Sequence, residues 1–300
     1  MKINYLLILT LIIFTGCSTQ KLSTKGKVNS NNFYTKVLFT NHKGVIGLNV
    51  EINGEIKKFL FDTGADLSLV QQKKISGRRY NISGASGRKM KLGTDIVSSM
   101  KIDKIEFSDT YAFNGDLVGL KEQVSNFGGI IGQPIIRKAN WLINYPKKEL
   151  ELSNRNLADD EFKEIQIIRE NGYNPYTYLE MNNKKYKVVI DLGSSSTINL
   201  PTDSEFAKDL LKTKTIEFTN NTRERYSLGG LQKINEKVGN IPKIKLGEFE
   251  LENVEVNINQ SSQPRIGINF FKDFQIYIDN TNKTYKLKKN INTVANTVYK

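Results

Sequence analysis

The chain reads as an all-β protein made of two tandem lobes, and three observations carry that reading. From Val37 onward, short runs of Val, Ile, Phe and Tyr alternate with Asn, Gly and Lys, the rhythm of strands and tight turns. A whole block of that rhythm occurs twice with the same internal spacing. Helical content reads as small, with Asp203 to Thr213 the best helix candidate, Pro201-Thr202-Asp203 offering its start and Phe206, Leu210 and Leu211 its apolar face.

The N-terminus comes first in the chain and is not part of either lobe. Lys2 precedes an apolar run from Tyr5 to Phe14 and then Thr15-Gly16-Cys17. A short basic start, an apolar stretch of that length and small residues before a break describe a signal peptide over residues 1–16, too short to stay in a bilayer as a helix. The break resembles a bacterial lipoprotein lipobox, which implies cleavage before Cys17 and a lipid on its sulfur. Phe14 stands where that motif usually has Leu. Residues 17–34 are polar and rich in Ser, Thr, Lys and Asn, and read as a flexible tether.

The first lobe spans about 35–155. Val50-Glu51-Ile52-Asn53-Gly54 leads into Phe59-Leu60-Phe61-Asp62-Thr63-Gly64-Ala65. Asn-Gly between two apolar runs predicts a two-residue hairpin turn, since both turn positions need φ > 0. The second lobe, about 156–290, repeats the unit 129 positions later: Leu179 to Asn183, then Val188-Val189-Ile190-Asp191-Leu192-Gly193-Ser194. Asn182-Asn183 would make the same turn less comfortably.

The far ends match as well. Gly129-Ile130-Ile131-Gly132 corresponds to Arg265-Ile266-Gly267, and Trp141 to Leu152 corresponds to Ile276 to Leu287. The order and spacing indicate a tandem duplication, with Asn154 to Glu164 as linker and 291–300 as a tail.

Composition narrows the chemistry. One Cys and one His exclude an intrachain disulfide and a Cys/His metal cluster. His42, in a polar Thr-Asn-His-Lys-Gly stretch, reads as a solvated turn and not as a catalytic base. The net charge of +13 comes from lysines scattered along the chain, without the basic, aromatic-interleaved face a nucleic acid needs. Carboxylates remain for acid–base work.

Phe59 to Ala65 resembles the active-site motif of the pepsin- and retropepsin-like aspartic peptidases, and Asp191-Leu192-Gly193-Ser194-Ser195 resembles its partner. Ile130-Ile131-Gly132 and Ile266-Gly267 resemble the strand that threads the catalytic loop in that family. The resemblance covers about 35 to 290. It implies two acid-protease-like β-barrel lobes with a cleft between them, Asp62 and Asp191 as catalytic pair, and no cofactor or metal. Thr63, Gly64, Ala65, Gly193 and Ser194 would support the active-site loops. Gly64 and Gly193 would allow tight turns and aim amides at the carboxylates, while small Ala65 and Ser194 would let the loops touch. A flap over the cleft is implied at Gly84, Ala85, Ser86 and Gly87, with Ser227-Leu228-Gly229-Gly230 as its counterpart.

Two positions depart from the family. Leu192 replaces a Thr or Ser whose hydroxyl would reach across to the other lobe. Arg265 stands where an apolar residue is usual. The expected function is a membrane-anchored aspartic endopeptidase, a monomer acting on exported polypeptides at the cell envelope, with no nucleic-acid partner. The alternative is a lipoprotein with the same cleft that binds a peptide or envelope polymer without cutting it.

Overall fold

A computed structural model describes residues 22–83, 89–169, 174–227 and 230–290. Along the first part of the chain run β1 (Lys27–Val28), β2 (Tyr34–Leu38), β3 (Thr40–His42), β4 (Val45–Ile52), β5 (Glu55–Phe61) and β6 (Ser68–Gln71). They are followed by β7 (Arg78–Ser83), β8 (Lys89–Ile102), β9 (Ile105–Gly115), helix α1 (Val118–Lys121), β10 (Phe127–Ile131) and helix α2 (Gln133–Ile136). Strands β11 (Asn140–Asn144) and β12 (Glu149–Ser153) close this part.

The second part has β13 (Lys163–Ile165), β14 (Tyr176–Met181), β15 (Lys184–Asp191), β16 (Ile198–Pro201) and helix α3 (Glu205–Lys212). Then come β17 (Thr219–Ser227), β18 (Gly230–Leu246), β19 (Phe249–Asn259) and β20 (Arg265–Gly267). A 3₁₀ turn at Ile268–Phe271 leads to β21 (Phe274–Asp279) and β22 (Thr284–Lys289).

The all-β reading holds, and the duplication is visible in the pairing. The first lobe runs β9-β6-β10-β5-β4-β8-β7, and the second runs β19-β16-β20-β15-β14-β18-β17. In each, the short apolar-Gly strand lies between one parallel neighbour (β5 or β15) and one antiparallel neighbour (β6 or β16). In each, an additional pairing closes the sheet on itself, β8 with β9 and β18 with β19.

A six-stranded sheet, β13-β22-β21-β11-β12-β2, joins the lobes and is symmetric about the β11–β21 seam, where Trp141 faces Ile278. Alternating apolar residues on its strands and on the lobes' inner faces feed one continuous core around Phe61, Trp141, Ile190 and Ile276.

Both predicted hairpin turns form. Asn53 and Gly54 have φ of 51° and 76°, and Asn182 and Asn183 have 51° and 61°. Asparagine tolerates the left-handed region better than other residues with a Cβ, which is why the second turn survives without glycine.

Three expectations need correction. The tether is shorter than composition suggests, because β1 pairs with β9 (Lys27 opposite Ser108) and Ser23 is buried. An edge strand needs only backbone hydrogen bonds, so the polar sequence hid it. The helix begins later, with Ser204 as N-cap accepting from the Ala207 amide at 3.2 Å. Its inward face is Phe206, Ala207 and Leu210, while Leu211 is exposed. Finally, His42 ends strand β3, its Nε2 2.8 Å from Thr40 Oγ1, and the turn falls on Lys43 and Gly44.

Candidate active site

Strand β15 ends at Asp191, and β5 ends at Phe61, one residue before Asp62. Beside each runs the parallel apolar-Gly strand in matching register, Ile130 opposite Leu60 and Arg265 opposite Val189, both two residues before the aspartate. The loops after the strands are held alike. The Gly64 amide donates to Asp62 Oδ1 at 2.7 Å, and the Gly193 amide to Asp191 Oδ1 at 3.1 Å. The Ala65 carbonyl accepts from the Gln133 amide (2.9 Å) and the Ser194 carbonyl from the Ile268 amide (2.8 Å).

The glycines serve approach and not a left-handed turn. A Cβ on Gly193 would lie 2.3 Å from Asp62 Cγ, and one on Gly64 would lie 3.0 Å from Asp191 Cγ. Each loop therefore packs its glycine against the other lobe's carboxylate, the role expected of Ala65 and Ser194. The two carboxyls come within hydrogen-bonding reach of each other. Burial, and after it the charge of Asp191, push the Asp62 carboxyl well above the usual carboxylate range. The Gly64 amide and the more distant Arg265 charge pull the other way.

The loops are not braced alike. Thr63 Oγ1 donates to the Ile190 carbonyl (2.6 Å) and accepts from the Leu192 amide (3.0 Å), tying the first loop to the second. Leu192 returns nothing and lies fully buried in the apolar core. On the first lobe, buried Gln133 donates its Nε2 to the Thr63 carbonyl at 2.7 Å, and Ile268 occupies the equivalent place on the second.

Arg265 is the residue whose part the sequence did not disclose. It is only 4% exposed, and its Nη1 meets Asp191 Oδ2 at 2.7 Å while Nη2 donates to Ser262 Oγ at 3.2 Å. The signal was present: a charge in a slot the other lobe fills with Ile130, two residues before a carboxylate in register, requires a counter-ion.

Of the expected flaps, Gly84, Ala85, Ser86, Gly87, Leu228 and Gly229 lie outside the described residues, as does Cys17. The strands leading to them pair up to Ser83–Lys89 and Ser227–Gly230, so each segment joins the two strands of an antiparallel hairpin. The β17–β18 hairpin reaches the first lobe: Lys43 Nζ lies 4.1 Å from the centre of the Tyr226 ring, and Gly119 of α1 is pressed against Gly230. Below it opens a cleft of about 410 Å³ lined by Ser195, Arg223, Glu236 and Asn257.

No protein-family model and no curated protein matches the chain.

Proposed function

We propose that the protein is an aspartic endopeptidase anchored to a bacterial envelope through Cys17, hydrolysing peptide bonds of exported polypeptides. The observation that carries this reading is the meeting of Asp62 and Asp191 from matching loops, each carboxylate bonded by its own glycine amide.

Two touching carboxyls cannot both ionise, so one proton is shared between them. In the proposed reaction the Arg265 guanidinium makes Asp191 the ionised member, and Asp62 carries the proton. Asp191 takes a proton from a water as its oxygen bonds to the peptide carbonyl carbon, and Asp62 gives its proton to the carbonyl oxygen. The resulting gem-diol collapses: the C–N bond breaks, Asp191 returns a proton to the leaving nitrogen, and Asp62 recovers one from a diol hydroxyl.

The Arg265–Asp191 pair also favours a second reading. A carboxylate neutralised by a buried guanidinium is a weak base, and the cleft would then hold a peptide or polymer without cutting it. A digest of a diverse peptide library by wild type and Asp62→Asn separates the two. Cleavage by wild type and none by the variant is expected; no cleavage by wild type at any pH from about 3 to 8 leaves the binding reading. Independently, Cys17→Ala is expected to move the protein from the membrane to the soluble fraction, and a variant that stays bound removes the lipid anchor.

A further inference from the structure

Each lobe's sheet forms a wall, and the two walls can be compared position by position through strand register. In the first lobe, Ile130 pairs with Leu69, Leu69 with Phe113, and Tyr80 with Leu92. All five strands contribute to one apolar cluster in which Leu69, Leu92, Phe113 and Ile130 are buried. In the second lobe, Arg265 pairs with Asn199, Asn199 with Asn257, and Asn221 with Glu236. Four buried apolar residues are thus answered by four buried polar ones: Asn199, Glu236, Asn257 and Arg265.

Most charge on that wall is paired. Arg265 has Asp191, and Arg223 Nε lies 2.7 Å from Glu236, which also accepts from Asn259 at 3.2 Å. Among the described arginines of that wall, Arg225 is the exception. Strand alternation puts it on the face of β17 that carries Asn221 and Arg223, both of which line the cleft. It is partly buried, yet its guanidinium has no hydrogen-bond or ion-pair partner among the described residues. Burial, then the like charges of Arg265 and Arg223, lower its guanidinium to about 10. Asp191 and Glu236 act on it too, but each already has its own arginine. Two buried polar atoms of the same wall, Arg265 Nε and Asn199 Oδ1, likewise lack a partner among the described residues. A desolvated cation with orphan polar atoms beside it costs stability unless an anion completes the set.

We propose that the second-lobe side of the cleft is a carboxylate subsite in which Arg225 binds an acidic group of the substrate beside the scissile bond. The proposal rests on the cleft being the peptide site of the function above. It gives that site a substrate class, peptides with a carboxylate next to the bond to be cut. Guanidinium and carboxylate match as a two-point, charge-assisted pair. The hairpin bearing Arg225 is kept over the cleft by Lys43 and Gly119 of the first lobe. The carboxylate can come from an Asp or Glu side chain or from a chain terminus.

Fluorescence anisotropy on the Asp62→Asn protein tests this without requiring turnover. The probes are labelled peptide pools capped at both ends that carry Glu or Gln at each position in turn, and the same pools with a free or amidated C-terminus. A tenfold or greater preference for one carboxylate form is expected. The preference should collapse when Arg225→Gln is added and partly persist with Arg225→Lys. Glu selectivity assigns the side chain, and free-acid selectivity assigns the terminus. Equal binding of both forms, a preference that survives Arg225→Gln, or no binding by any carboxylate peptide overturns the subsite. Wild-type cleavage without such a preference overturns the subsite and leaves the peptidase, whereas carboxylate-selective binding with no cleavage overturns the peptidase and leaves the subsite.

Discussion

The first and second lobes thread their strands in one order and hold their aspartates with the same glycine amides, yet at matching positions one lobe buries Leu, Phe and Ile and the other Asn, Glu and Arg. The shared part is almost all backbone: register, turns and loop amides, which many side chains satisfy. The part that differs is side chain. Duplication preserved the frame that brings two carboxyls together and left each lobe free to set the surroundings of its own. Asp62 has no ion pair among the described residues and is tied down through Thr63 and Gln133, whereas Asp191 sits on a buried arginine.

The comparison breaks most visibly in paired mutants. Asp62→Asn and Asp191→Asn are each expected to lower cleavage by about 10³-fold or more, and the double change little further, since the carboxyls act as a unit. Their stabilities should diverge. Asp191→Asn leaves Arg265 buried without its anion and should cost about 3–5 kcal/mol in urea unfolding, much of it recovered by adding Arg265→Leu. Asp62→Asn should be neutral or stabilising at pH 7, because its ionised form is disfavoured by burial and by Asp191. Equal losses from the two single variants would remove the asymmetry.

The braces give the next contrast. Thr63→Val strips the Ile190 carbonyl and Leu192 amide of a buried partner and should cost about 2–4 kcal/mol. Leu192→Thr loses only part of an apolar side chain, about 1–2 kcal/mol, and should keep or raise activity by offering the missing hydroxyl. A larger loss for Leu192→Thr than for Thr63→Val would mean that core packing, not the hydroxyl, sets loop geometry.

Two pH effects are smaller. The Asp62 pKa is raised on folding, so its stabilising contribution is complete below the unfolded value of about 3.9 and is lost as pH rises through the folded value. Urea midpoints against pH should fall over that window and flatten in Asp62→Asn; an unchanged slope contradicts the raised carboxyl. Arg265→Leu leaves the carboxyls to share their charge unaided, so the acid limb of cleavage should move to higher pH. A limb that stays in place would show that Arg265 does not decide which aspartate is ionised.

Much of this frame was legible in the residues. Asn53-Gly54 and Asn182-Asn183 mark their turns because few residues accept φ > 0, and the aspartates lie at one fixed distance past them. What escaped reading depends on contacts distant in sequence or carried by backbone alone. Strand β1 is polar and joins an edge 81 positions on, at Ser108. Arg265 could be seen as out of place, but its partner is 74 residues away, and only the register of β20 on β15 brings them together. Arg225 gave no signal at all until strand alternation set it beside Arg223.

The β11–β21 seam has a consequence for how the chain reaches this state. Trp141 is synthesised long before Ile278, its partner in the shared sheet. Until the last strands emerge, β11 presents unpaired amides and carbonyls next to a large apolar side chain, an edge to which another chain can add. Contacts this remote in sequence form slowly, because a long loop must close before they are rewarded. The first lobe therefore waits as an incomplete template, and closing the shared sheet needs strands from both halves of the chain.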